Sequence, residues 1–164
     1  MNSFEIDRTS LDRANSYLVW AEQGLQQLQT SCPQGADWVL TWVGTLSLLR
    51  SIGHIMENVS KGIVKEVNQE LFREVNSDRE THKVFHEFVR EYRNIVLKEG
   101  DLMAGQGIGL FTPRITITYP LRVGAYEGRD QTEILSEAID WWKWYLDEVE
   151  LRVGARRLEC QVEE

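Results

Sequence analysis

Two histidines and three arginines recur along one predicted helix, between residues 78 and 99. When successive residues are placed about 100° apart around the helix axis, all five fall on one edge, beside the apolar stripe. Guanidinium and imidazolium groups bind phosphates, carboxylates and acidic partners, so this basic edge is a candidate site for an anion or a partner. A solvated flank that pairs with acids of a neighbouring helix is the simpler explanation. The five residues are Arg79, His82, His86, Arg90 and Arg93.

A metal site is the second chemistry that the histidines allow. His82 and His86 have the i, i+4 spacing at which two imidazoles on one helix can bind a metal ion. A closed site needs further ligands, and His54 and Glu57 on the central helix, predicted at residues 37–59, are the candidates. Carboxylate-bridged metal bundles use paired Glu-x-x-His motifs from several helices, and no such set is complete in this sequence. We therefore expect no metal and no other cofactor.

Arg50 and His54 share one face of that otherwise apolar central helix. A buried arginine must be paired, because an isolated buried charge is very costly. We expect a structural ion pair, with Glu57 or with an acid of a neighbouring helix, although a polar pair inside a bundle can also mark a site.

Two tryptophans lie off the predicted core. Trp144 falls about 200° from Trp142 around its helix axis, and Trp20 falls about 200° from Leu18. Exposed indoles are typical of protein interfaces, although large aromatic side chains also cap hydrophobic cores. Trp20 and Trp144 are therefore candidate interface residues.

Hydrophobic periodicity predicts the helices that carry these residues. The first and the last helix each have an apolar seam with steps of three and four residues. The seam of the first helix is Leu11, Ala14, Leu18, Ala21, Leu25 and Leu28, and that of the last is Leu135, Ala138, Trp142, Tyr145 and Val149. Residues 100–129 are instead rich in glycine, and the segments RITITY and LRVGAY alternate polar and apolar residues, which predicts a small β-hairpin. The predicted fold is an all-α bundle of four to five helices, with this hairpin inserted before the last helix, in one domain spanning 1–164. The helices are expected at residues 10–30, 37–59, 63–75, 78–99 and 130–153.

Composition narrows the class of protein further. The formal net charge is −8, and an acidic surface repels phosphate backbones and anionic lipid, which disfavours nonspecific coating of nucleic acids. The N-terminus lacks the pattern of a secretory signal. The most apolar stretch, residues 38–59, is interrupted by polar and charged residues, so it is a poor membrane span. We expect a cytoplasmic protein without a membrane partner.

The segments VFHEFVREYRNIVLKE, LLRSIGHIMENV and AIDWWKWYLDEVE resemble a pattern in small helical bacterial and phage proteins of unknown role. More remotely, the Arg93-Asn94 pair resembles part of the sequence signature of HEPN domains. These domains form a superfamily of helical-bundle ribonucleases and toxin components. The resemblance implies a helical bundle, often dimeric, with an Arg-x4-6-His signature. No histidine stands at the signature spacing after Arg93. Arg79 and His86 have this spacing, but no asparagine follows Arg79. Arg79, His86 and Arg93 are the candidate catalytic residues under this resemblance.

These patterns together predict a non-catalytic helical protein that acts through protein–protein contacts. The off-core tryptophans and the lack of a complete catalytic set favour a homo-oligomer, most simply a homodimer, or a complex with another protein. One alternative is a HEPN-like ribonuclease or RNA-binding module that uses Arg79, His86, Arg90 and Arg93. A metal-binding helical bundle is the third.

Overall fold

The protein is a helical bundle, as the periodicity predicts. A computed structural model describes residues 3–31, 33–91, 107–111, 114–118, 120–122 and 124–162. Two of the helical segments contain π-helical backbone: α2 continues directly into a π-helical turn at Ile55–Val59, and α4 is π-helical throughout. The helices are α1 (Ser3–Thr30), α2 (Gly35–His54), α3 (Gly62–Ser77), α4 (Val84–Val89) and α5 (Gln131–Val162).

The contact between α1 and α2 follows from the leucine and alanine spacing of α1. Every residue of the predicted seam is buried, which confirms this stripe. Gly24 allows the two helices to approach closely, because a methyl group in its place would overlap the Thr45 side chain of α2. The seam consists of Leu11, Ala14, Leu18, Ala21, Leu25 and Leu28.

A buried polar network ties the end of α2 to α3 and α5. The side chain of Asn68 donates to the carbonyl oxygen of Met56 over 3.1 Å. The hydroxyl of Tyr145 donates to the Asn68 side-chain oxygen over 2.8 Å. Carbonyl groups at a helix end need partners from outside the helix, and Asn68 supplies one here.

The last helix, α5, is longer than predicted. Its expected core positions Leu135, Ala138, Trp142, Tyr145 and Val149 are all buried. The predicted end before Gly154 was wrong, since α5 continues to Val162.

Ion pairs join the C-terminal part of α5, on both sides of the predicted end, to α3. The Arg152 guanidinium binds the Glu74 carboxylate through two contacts of 2.7 and 2.8 Å. One turn further along, Arg156 binds Glu70 over 2.8 Å.

The predicted helix at 78–99 differs most from the structure. Residues 78–82 form a turn, in which the Asp78 carboxylate accepts the Thr81 backbone N–H over 3.2 Å. Helical backbone begins at Lys83 and is π-helical from Val84 to Val89. The remainder of the predicted helix, residues 92–99, lies outside the described residues.

Two short strands precede α5. β1 (Gly107–Phe111) and β2 (Arg114–Thr118) pair antiparallel, with Ile108 opposite Ile117. The predicted pairing of RITITY with LRVGAY was wrong, because β2 pairs with the preceding segment GIGLF. Residues 120–122 and 124–130 instead fold back on each other: the Leu121 N–H donates to the Arg129 carbonyl oxygen, and the Gly128 N–H donates to the Leu121 carbonyl oxygen.

One helix meets the length and composition expected of a membrane span. The helix from Gly35 to Val59 has a mean hydropathy of 1.2 over an 18-residue window, of which 39% is buried. The core helix of a bundle has the same properties, and Trp42, Leu46 and Ile52 of this helix are packed in the core. The absence of a membrane partner stays a prediction.

Candidate functional site

A cavity of about 520 Å³ lies where α2, α3, α4 and α5 meet. This volume is within the range of small-molecule binding sites, which are about 300–1,000 Å³. We call it the aromatic cavity. Its lining consists of Arg50, Gly53, His54, Met56, Glu57, Asn68, Phe72, Asn76, Phe85, Val89, Arg90, Trp141, Trp142 and Tyr145.

Stacked aromatic rings form one wall of the aromatic cavity. Phe85 of α4 stacks on Trp141 of α5, with ring centroids 4.4 Å apart and planes inclined by 17°. Trp141 stacks in turn on Tyr145 at 5.1 Å and 23°, and Phe72 of α3 meets the edge of Phe85 at 6.0 Å. Packing between three helices fixes these rings in place, so the wall is a rigid apolar surface.

The polar part of the lining has more positive than negative charge. Arg50 and Arg90 are both exposed, and neither forms an ion pair with any described residue. The ion pair expected for Arg50, with Glu57 or with an acid of a neighbouring helix, is therefore not found among the described residues. His54 bonds instead through its ring nitrogen to the Asn58 side chain over 3.1 Å. Two guanidinium groups thus oppose the single Glu57 carboxylate around the cavity.

Trp142, which lines the same cavity, carries a buried hydrogen-bond donor. Its side chain is only 3% exposed, and its indole N–H has no hydrogen-bond partner within the described part of the chain. Gly53 lies beside the six-membered part of this ring, since a methyl group at this position would be 3.4 Å from Trp142 Cη2 and 3.6 Å from Cζ2. A buried donor without an acceptor is costly, by about 1–3 kcal/mol, and this nitrogen is too deeply buried for a molecule in the cavity to reach it.

Both π-helical segments contribute to the lining of the aromatic cavity. Met56 and Glu57 belong to the turn after α2, and Phe85 and Val89 belong to α4. Single π-helical turns inside α-helices are frequent at functional sites. Because both π-helical segments line the aromatic cavity, we take it as the candidate functional site.

The predicted basic edge is not assembled as a single surface. His86 is 2% exposed and turns inward, where its Nε2 lies 3.1 Å from the Val75 carbonyl oxygen. Its predicted placement on an outward edge was wrong, because α4 is a π-helix. A π-helix has hydrogen bonds between residues i and i+5 and turns by less than 100° per residue. Arg79 is exposed in the turn before α4, Arg90 lines the aromatic cavity, and Arg93 lies outside the described residues.

His82 lies between two tryptophans of α5. The Trp141 indole N–H donates to His82 Nδ1 over 3.1 Å, and the imidazole stacks on Trp144 at 4.9 Å. Burial lowers the pKa of His82, against a smaller opposing effect of the Asp78 carboxylate. The neutral imidazole is therefore the form that fits this contact, and it acts here as an acceptor.

The four metal candidates are not brought together. His54 and Glu57 line the aromatic cavity, whereas His82 contacts tryptophans and His86 is buried against α3. Over the residues that the structure describes, no three histidine, cysteine, aspartate or glutamate side chains form a group that could hold a metal ion.

The two predicted interface tryptophans are exposed. Trp20 is 49% exposed beside Tyr17, and Trp144 is 41% exposed. The sequence interpretation missed two further apolar side chains on α5: Leu151 is 68% exposed and Leu158 is 65% exposed. Trp144, Leu151 and Leu158 follow one another at intervals of seven residues, and this spacing was the available signal. We call these three residues the α5 stripe.

Comparison with known proteins places the chain in no family. No protein-family model matches it, no curated protein matches its sequence, and no solved structure matches its fold. The resemblance to HEPN domains therefore stays a prediction, and the function must be argued from the geometry of the chain itself.

Proposed function

We propose that the protein acts without catalysis, by pairing α5 with α5 of a second copy of the same chain. The α5 stripe carries this proposal. Large apolar side chains are seldom left exposed in a row, and rows of this kind are typical of surfaces that bind other proteins. A second copy is the simplest partner, because two identical stripes are complementary under twofold symmetry.

The seven-residue interval suits helix pairing. Positions seven apart drift by only about 20° around a straight α-helix, so Trp144, Leu151 and Leu158 form one nearly straight row. With a rise of about 1.5 Å per residue, this row is about 21 Å long. Coiled coils bury apolar rows of the same period.

Charges flanking the α5 stripe favour an antiparallel pair. Glu150 and Arg157 immediately precede Leu151 and Leu158, so both occupy the same flanking position of the repeat. In an antiparallel pair these flanking positions face each other, which places Glu150 of one copy near Arg157 of the second. Gly154 is exposed between the two leucines with open space beside it, where Leu151 of the second copy can pack.

Light scattering after size-exclusion chromatography tests the proposal. We expect the wild type to have about twice the chain mass of 19.1 kDa. The double variant Leu151→Asp/Leu158→Asp should be monomeric, with an unchanged helical circular dichroism spectrum. Leu40→Asp is the matched control, because Leu40 is equally exposed but lies on α2, and it should remain dimeric. A monomeric wild type at high concentration would contradict the proposal.

Charge reversal tests the orientation of the two copies. Glu150→Arg should weaken the dimer by placing two positive charges together, and adding Arg157→Glu should restore it. If the restored charge pair gives no recovery, the two helices do not pair antiparallel.

Nothing in the described geometry favours ribonuclease activity over this contact function. The buried position of His86 keeps its ring away from a phosphate backbone. RNA binding through Arg79, Arg90 and Arg93 stays an alternative, which predicts salt-sensitive binding of single-stranded RNA that Arg93→Ala abolishes. Cytoplasmic localisation likewise stays an expectation from the sequence.

We also propose that β1 and β2 form a stable hairpin inserted before α5. The unbroken register of five backbone pairs, from Gly107 opposite Thr118 to Phe111 opposite Arg114, supports it, since antiparallel strands satisfy each other's backbone N–H and C=O groups. Amide hydrogens that bond between the strands should exchange slowly with solvent. Exchange at the rate of an unfolded peptide in both strands would contradict the hairpin.

A further inference from the structure

We infer that the aromatic cavity is a binding site for a small planar aromatic carboxylate. This site is independent of the proposed pairing of α5, because none of the α5 stripe residues lines the cavity. Two features of the lining select the ligand: one selects its ring and the other its charge.

The flat aromatic wall selects a planar ring system. Phe85 of α4 stacks on Trp141 of α5, and Trp141 stacks on Tyr145, so the three rings form one rigid block in the lining. The cavity volume of about 520 Å³ holds a ligand of one or two fused rings. Aromatic rings pack against the edges of other rings as well as against their faces, so an aromatic ligand interacts with this wall more favourably than an aliphatic ligand of the same volume.

The two arginines select a negative charge. Arg50 and Arg90 come from different elements and have no acidic partner among the described residues. Planar guanidinium groups bind carboxylates through paired hydrogen bonds. Glu57 lies on the same lining and repels additional negative charge, so a monoanion fits better than a dianion.

Isothermal titration calorimetry with quinoline-2-carboxylate is the direct test, since this probe combines a fused aromatic ring with one carboxylate. We expect one site per chain and quenching of tryptophan fluorescence. Uncharged quinoline should bind at least tenfold more weakly. Failure of the wild type to bind quinoline-2-carboxylate at millimolar concentration would overturn the inference.

Variants locate the binding in the cavity. Arg90→Ala should weaken binding at least tenfold, whereas Arg79→Ala removes an equally exposed arginine outside the lining and should have no effect. Gly53→Val places a side chain against Trp142 and should abolish binding. Gly44→Val makes the same change on α2 in open space and should leave binding intact. Equal effects of a variant and its control would overturn the assignment to this cavity.

Discussion

Replacing Tyr145 by phenylalanine isolates one buried hydrogen bond of the bundle. The hydroxyl of Tyr145 donates to the side-chain oxygen of Asn68 over 2.8 Å, and both side chains are buried. The substitution keeps the ring and its stacking but leaves the Asn68 oxygen without this donor. A buried polar group without its partner costs about 1–3 kcal/mol. For a domain of this length, about 2–4 °C of melting temperature is lost per kcal/mol, so we expect a decrease of about 2–12 °C.

Thermal unfolding followed by circular dichroism measures this decrease. Tyr17→Phe is the matched control, because Tyr17 is partly exposed and no hydrogen bond of its hydroxyl is seen within the described residues. Asn68→Leu should cost more than Tyr145→Phe, since it also removes the donor to the Met56 carbonyl oxygen. If Tyr145→Phe and Tyr17→Phe have the same melting temperature, the buried network does not stabilise the fold as argued.

Three further predictions concern packing, protonation and backbone conformation. Gly24→Ala should lower the free energy of unfolding in urea by about 1–3 kcal/mol, and Thr45→Ala in the same chain should recover most of the loss. Because burial lowers the pKa of His82 from its ordinary 6.5, the unfolded chain takes up a proton first, and stability should fall from pH 7 to pH 5. His82→Gln, which can still accept from Trp141, should reduce this pH dependence. Gly62→Ala should cost about 1–2 kcal/mol in the same urea assay, since Gly62 has φ of +54°.

Regular periodicity predicted the helices that obey ordinary α-helical geometry. The leucine seam of α1 and the core positions of α5 repeat at steps of three and four residues, and the structure buries them. Such segments are predictable because burial of one helix face is their main source of stability. Apolar residues therefore recur in the sequence with the period of the α-helix.

The segment after α3 shows where this reasoning fails. The positions of His82, His86 and Arg90 were assigned with a constant step of 100° from residue 78, but the chain there forms a turn and then a π-helical segment. A π-helical segment changes the rotation per residue around the helix axis. The direction in which each later side chain points therefore cannot be calculated from the 100° step of an α-helix. His86 consequently lies in the core, although the sequence placed it at the surface.

The aromatic cavity could be predicted only in fragments. Arg50 and His54 were visible as polar residues on an apolar helix, and this pattern marks one edge of the cavity. The aromatic wall comes from α3, α4 and α5, whose approach depends on tertiary packing rather than on local sequence. The environment of Trp142 likewise depends on Gly53, 89 residues earlier in the chain.

The segment WWKWY shows how one helix serves two surfaces. Trp141 and Trp142 line the aromatic cavity, whereas Trp144, two residues later, begins the α5 stripe on the outside. Trp142 and Trp144 are two residues apart, about 200° of rotation, so they lie on opposite sides of α5, whereas Trp141 lies only about 60° from Trp144. His82 touches both sides, because it accepts the Trp141 N–H and stacks on Trp144. The cavity wall and the stripe are therefore adjoining faces of one rigid helix, joined by a single imidazole.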